Sequence, residues 1–114
     1  MRMEGQAQLL RIFIGESDRA EGRPLFEAIV RAAREAGLAG ATVLRGLEGF
    51  GARSRIHTAR ILRLSEDLPI VVEIVDRADR IAAFLPRLDA MVGEGLVTLE
   101  TVQVLIYRHG ERPA

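Results

Sequence analysis

Residues 43–69, V-L-R-G-L-E-G-F-G-A-R-S-R-I-H-T-A-R-I-L-R-L-S-E-D-L-P, decide how this chain is read. An apolar, strand-like run enters the stretch and a second one leaves it after Pro69. Two strands therefore follow one another, separated by a long polar excursion. Gly46, Gly49 and Gly51 interrupt the run, and Arg45, Arg53, Arg55, Arg60 and Arg63 charge it. Glycine lets a backbone take positive φ or approach a ligand closely. Arginine supplies a planar, permanently charged fork of donors suited to phosphate. So long a polar loop inside a small domain usually serves a function.

Working upstream, residues 9–14 read as a first strand, with Leu10, Ile12 and Ile14 on one face and Leu9, Arg11 and Phe13 on the other. Residues 15–22 form a loop of turn-forming types. A helix is expected over 24–36, opened by Pro24 and stopped by Gly37 at the C′ position, with Leu25, Phe26, Ile29, Val30 and Ala33 as its apolar stripe. A second strand covers 41–47. Downstream, a third strand covers 68–75. A helix follows over 77–92, N-capped by Asp76 with Asp79 as a weak capping-box partner. Its stripe is Ile81, Phe84, Leu85, Leu88 and Val92, and Pro86 within it predicts a kink or short break. Residues 96–107 form the last strand.

The order strand, helix, strand, strand, helix, strand is α+β and ferredoxin-like: βαββαβ, a four-stranded antiparallel sheet with two helices on one face. It occupies residues 8–109 as a single domain, with 1–7 and 110–114 as flexible ends. Two helices cover one sheet face only, yet both faces of the strands are apolar. Leu9 and Phe13 back the first strand, and Val97, Leu99 and Leu105 alternate with Val102, Val104 and Ile106. Apolar residues on both faces imply a second layer from other copies of the chain, hence a homo-oligomer.

Composition narrows the function. The 114 residues carry 16 basic and 16 acidic side chains, so no global attraction to nucleic acid or anionic membrane is expected. Every basic residue is arginine, which genome composition explains more simply than function. With no cysteine, disulfides and thiolate metal sites are excluded, in keeping with a reducing compartment. No signal peptide or apolar span stands out, and a soluble, cytoplasmic protein is expected. Aromatics make up only 4%, which disfavours a base-stacking RNA-binding sheet. The nucleophile elbow, the P-loop and the zincin motif are absent.

Several pieces then resemble the PII signalling proteins, trimeric ferredoxin-like regulators that bind adenine nucleotides between subunits. They are G-L-A-G-A-T-V (37–43), R-G…G-F-G (45–51), H-T (57–58), L-P (68–69) with E-I-V (73–75), G-E-G (93–95) and Arg108, in the family's order and near its spacing. The N-terminal third, G-E-S-D-R…G-R-P-L-F-E-A-I-V (15–30), resembles a small PII-like family of unknown function. The resemblance implies a homotrimer and a regulatory, non-enzymatic role. It places Thr42 near an adenine ring and Gly49, Phe50 and Gly51 against the nucleotide at the base of a mobile loop, 46–67. It sets Glu73, Ile74 and Val75 around the base, Gly93, Glu94 and Gly95 at the phosphates, and Arg108 as a phosphate contact. Arg53, Arg55, His57, Arg60 and Arg63 would form the partner-facing part of that loop, the partner being a membrane transporter or channel.

The chain also departs from that pattern. Ile70 and Leu96 stand where the family has lysines, Ile106 where it has an arginine, and Ala52 where a basic residue follows G-F-G. A mono- or diphosphate, with contacts recruited from Arg45 and its neighbours, fits better than a triphosphate. No cofactor is required. The only tyrosine, Tyr107, does not match the family's modified loop tyrosine.

Each motif has a competing structural explanation. The glycines can form an anion nest, or a bulge where the second strand leaves the sheet. The arginine run can dock a partner or remain a solvated ribbon. His57 has no second histidine nearby and suits a loop hydrogen bond better than a metal. Glu16, Ser17 and Asp18 can satisfy loop backbone donors or join a reactive cluster. Two alternatives stay open: a metal-responsive trimer resembling the CutA group, and a small ferredoxin-like enzyme using Glu16, Asp18 and His57.

Overall fold

A computed structural model describes residues 5–50 and 67–108. Its elements, in chain order, are β1 (Gly5–Gly15), β2 (Arg19–Ala20), β3 (Arg23–Pro24), α1 (Leu25–Glu35), β4 (Thr42–Arg45), β5 (Pro69–Asp76), α2 (Ala78–Met91) and β6 (Leu96–Val104). Four strands form one sheet in the order β4-β5-β1-β6. Every neighbouring pair is antiparallel. Both helices pack on the same face, so the architecture is ferredoxin-like.

The core follows from strand alternation. Leu10, Ile12 and Ile14 of β1 and Ile70, Val72 and Ile74 of β5 point to the helices and are buried. They meet Leu25, Ala28, Ile29, Ala32 and Ala33 of α1 and Ile81, Phe84, Leu88 and Met91 of α2. Removing a side chain the size of isoleucine from water is worth about 2–3 kcal/mol. In α1, Phe26 and Val30 fall to the flank, half-buried, while Ala28 and Ala32 take the sheet-facing positions. The helix closes as a Schellman motif: Leu38 N–H donates to the Ala33 carbonyl and Gly37 N–H to that of Arg34, with Gly37 at φ 78.

Several boundaries differ from the sequence expectation. β1 begins at Gly5, so residues 5–7 are strand, not a loose end; Gly5 to Ala7 pair with Val104 to Val102. The 15–22 loop contains a small hairpin in which Arg19 pairs with Pro24 and Ala20 with Arg23. Its two-residue link, Glu21-Gly22, has positive φ at both positions, as a type I′ turn requires. β6 ends at Val104 rather than at 107. α2 runs through Pro86 without the expected break. Pro86 is exposed, and the helix gives up only the one bond that its missing N–H would make.

Asp76 is not the N-cap of α2, a place taken by Arg77. It is fully buried instead, and its carboxylate accepts from the backbone N–H of Ala39 at 2.9 Å and of Arg77 at 2.7 Å. Arg80 Nε lies 3.4 Å from the same carboxylate, close enough for an ion pair but without hydrogen-bond geometry. Arg80 Nη2 donates to the Gly37 carbonyl. One buried charge thus ties the turn after α1 to the start of α2. Asp79, by contrast, pairs with Arg77 at the surface, and that hydrogen bond holds its carboxyl below the usual range. Replacing Asp76 with alanine takes the acceptor from the part-buried Ala39 and Arg77 N–H groups and strands Arg80, and should cost about 2–3 kcal/mol. Urea denaturation of Asp76→Ala beside Asp79→Ala checks this: the second should lose well under half as much, and equal losses would refute the role given to Asp76.

Candidate functional site

The strands bring most of the candidate residues to one end of the sheet. β1 ends where Gly15 faces Pro69, β4 ends where Arg45 faces Ile70, and β6 starts where Leu96 faces Phe13. Pro69 lies at the centre of this end. Gly46 N–H donates to its carbonyl at 2.7 Å, and a Cβ on Gly46 would stand 2.8 Å from its ring. A Cβ on Gly49 would stand 3.2 Å from the same ring. The chain leaving β4 therefore wraps the proline, and the Gly46 N–H is already used. Glu16 N–H donates to the Leu68 carbonyl at 2.8 Å. The Glu16 carboxylate accepts from Arg45 Nη2 at 2.6 Å. Asp67 accepts from Ser17 N–H at 2.7 Å, and Asp18 from Gly15 N–H at 2.9 Å.

The open face of the sheet is arranged in cross-strand rows. Leu44, Val71, Phe13 and Leu96 form an apolar row in register. Beside it, Thr42, Glu73, Arg11 and Thr98 form a polar one. Arg11 Nε donates to Glu73 at 2.8 Å and Nη1 to Glu100 at 3.2 Å. Its bond to Glu73 raises the guanidinium pKa further, against partial desolvation. Leu44, Phe13 and Leu96 remain exposed in a single protomer.

One protomer unites only part of the expected site. Thr42, Arg45, Gly46, Gly49 and Phe50 lie on or just beyond edge strand β4. Glu73 and Val75 share the open face with Thr42, but Ile74 is buried on the helix side, where its side chain cannot line a pocket with them. Gly93, Glu94 and Gly95 precede β6, the opposite edge, about three strand spacings or ~14 Å from β4. Gly95 is required there, because a Cβ would stand 2.7 Å from the Phe13 carbonyl at a φ of 152°. Arg108 follows Val104, which pairs with Gly5 at the far end of β6, about 26 Å from Leu96. Four further residues reach back at most ~14 Å, so Arg108 cannot meet Gly93–Gly95 of its own chain. Gly51, Arg53, Arg55, His57, Arg60 and Arg63 lie outside the described residues.

Among the described residues no three histidine or acidic side chains gather as a metal site. No helix among them is long and apolar enough to cross a membrane. Glu16 and Asp18 are each engaged locally, by Arg45 and by the Gly15 amide. Sequence reasoning missed Glu16 as the partner of Arg45 at the β4 exit, and Asp67 as the partner of Ser17 at the β1 exit. These pairs stand 29 and 50 positions apart in sequence, and only the fold makes them neighbours.

The fold is that of PII-like proteins. The nitrogen regulatory PII-like protein CPII from Thiomonas intermedia K12, bound to ADP and bicarbonate, superimposes with a TM-score of 0.60 at 19% identity, over 87% of this chain and 88% of its own. A protein of Thermus thermophilus described as PII-like superimposes at 0.64 and 18% identity, over 92% and 94%. The chain itself belongs to the DUF190 family, described as an uncharacterized ACR, whose model matches residues 7–104. It is 40% identical over 98 residues to a UPF0166 protein of Aquifex aeolicus, covering 86% of this chain and 92% of that one. Against a UPF0166 protein of Methanocaldococcus jannaschii it is 33% identical over 100 residues, covering 87% and 92%.

The two glycines before β6 should respond differently to substitution. Gly95→Ala forces a methyl group against a backbone carbonyl and should lose about 2 kcal/mol or more. Gly93→Ala meets nothing within 4 Å and should stay within about 1 kcal/mol of the parent. Thermal melts of the pair decide it, and equal melting points would refute the tight contact between Gly95 and β1.

Proposed function

We propose that this chain is a PII-like regulatory protein, not an enzyme, that acts in the cytoplasm as a homotrimer of single-domain subunits. It holds a small adenine nucleotide between its subunits, mono- or diphosphate in preference to triphosphate. Occupancy alters how the 46–67 segment meets a protein partner, a membrane transporter or channel being the class the family resemblance implies. Such a response requires that the nucleotide bind one state of the segment better than another.

The observation that carries this reading is the division of the candidate residues. Thr42, Arg45, Gly49 and Phe50 sit at one edge of the sheet end, and Gly93, Glu94 and Gly95 at the other. Each edge offers half a site, and a second copy placed edge to edge would complete it. The exposed Leu44, Phe13 and Leu96 give the open face a reason to associate. The Thiomonas protein of the same architecture is bound to ADP and AMP, with bicarbonate. The preference against triphosphate rests on Ile70, Leu96 and Ile106, of which Ile70 is also buried in the core.

Calorimetry with AMP, ADP, ATP and cyclic nucleotides, alongside light scattering, tests this directly. A particle of three 12.6 kDa chains should bind ADP or AMP, with ATP weaker by about tenfold for one missing charged contact. A folded monomer, or no heat from any nucleotide, would overturn the reading.

A further inference from the structure

Arg45 is the one described arginine beside the glycine-rich exit of β4, and it is not free. Its Nη2 donates to the Glu16 carboxylate at 2.6 Å. Glu16 is itself positioned by the bond from its own N–H to the Leu68 carbonyl, while Gly46 N–H bonds the carbonyl of Pro69. The pair therefore bridges the end of β1 and the end of β4, across the start of β5 that lies between them. The Glu16 side chain is mostly covered, at 29% exposure, but that of Arg45 is 61% exposed. Glu16 thus already occupies the oxyanion position on Arg45, and the outer side of the fork remains open to solvent.

We propose that Glu16 is an internal competitor for the anion site: its carboxylate occupies Arg45, and a phosphate-bearing ligand binds by displacing it. This rests on the nucleotide reading above and adds the regulation of that same site. A guanidinium offers an oxyanion two two-donor edges, Nη1 with Nη2 and Nη2 with Nε, and Nη2, the nitrogen that Glu16 holds, belongs to both. A carboxylate held on Nη2 therefore competes with a phosphate for a two-donor grip on either edge. An exposed ion pair is weak, so the competition lowers affinity without abolishing it, by about two- to fivefold. Displacement also unties β1 from β4 at the point where the 46–67 segment begins, linking occupancy to the base of that segment.

ADP affinity measured by calorimetry on the intact oligomer tests this with four variants. Glu16→Gln removes the competing charge, and Glu16→Asp keeps the charge but withdraws it by about 1.5 Å. Both should tighten ADP binding two- to fivefold. Glu48→Gln removes an equal charge that makes no ion pair with Arg45, and should change affinity less. Arg45→Gln should weaken binding about tenfold or more. If Glu16→Asp behaves as the parent while Glu16→Gln tightens, the effect is general charge and the competitor is refuted. If Arg45→Gln weakens binding but neither Glu16 variant changes it, the nucleotide site stands and the competitor falls. No ADP binding by any form, or unchanged binding by Arg45→Gln, overturns both.

Discussion

The register that sets Arg11 opposite Glu73 governs the rest of the structure. Strand alternation has a period of two, so a slip of one residue between β1 and β5 would turn Arg11 or Glu73 toward the helices. With the observed pairing, Leu10, Ile12 and Ile14 and their partners on β5 make one continuous core surface, and the charges stay on the open face. That pairing also sets Gly15 against Pro69. The exits of β1 and β4 and the start of β5 consequently crowd one end of the sheet, and the candidate site grows from that crowding.

Charge is used sparingly, and each instance does a different thing. Asp76 is wholly buried and is answered by two backbone N–H groups and Arg80. It joins two helices to the sheet. Arg11, Glu73 and Glu100 sit at the surface of a protomer, where such pairs contribute little to stability. Beside an apolar row, they gain importance only when another layer covers the face. Glu16 and Arg45 occupy the end of the sheet, where a ligand could reach them.

Much of the architecture could be read from the sequence because it depends on local pattern. Alternation in β1 and β5 and the Pro24 and Gly37 signals around α1 placed their elements within a few residues. The hairpin at 19–24 escaped notice because two-residue strands have no period and Glu-Gly is a weak turn signal. The extension of β1 to Gly5 depends on pairing with β6, nearly a hundred residues away. At the site, alternation alone opposes Ile74 to Glu73 and Val75, a point the family pattern obscured. That Glu73 is held by Arg11, that the Gly46 N–H is spent on Pro69, and that Glu16 covers Arg45 could not be read without coordinates. Each is a contact between segments distant in sequence.

The central claim is that a nucleotide site is completed between subunits. A crystal structure of the protein grown with ADP tests it most directly. ADP should touch Arg45 and Gly49 of one subunit and Gly93 to Gly95 of its neighbour. ADP held wholly within one protomer, or bound away from the sheet end that Pro69 organises, would contradict it.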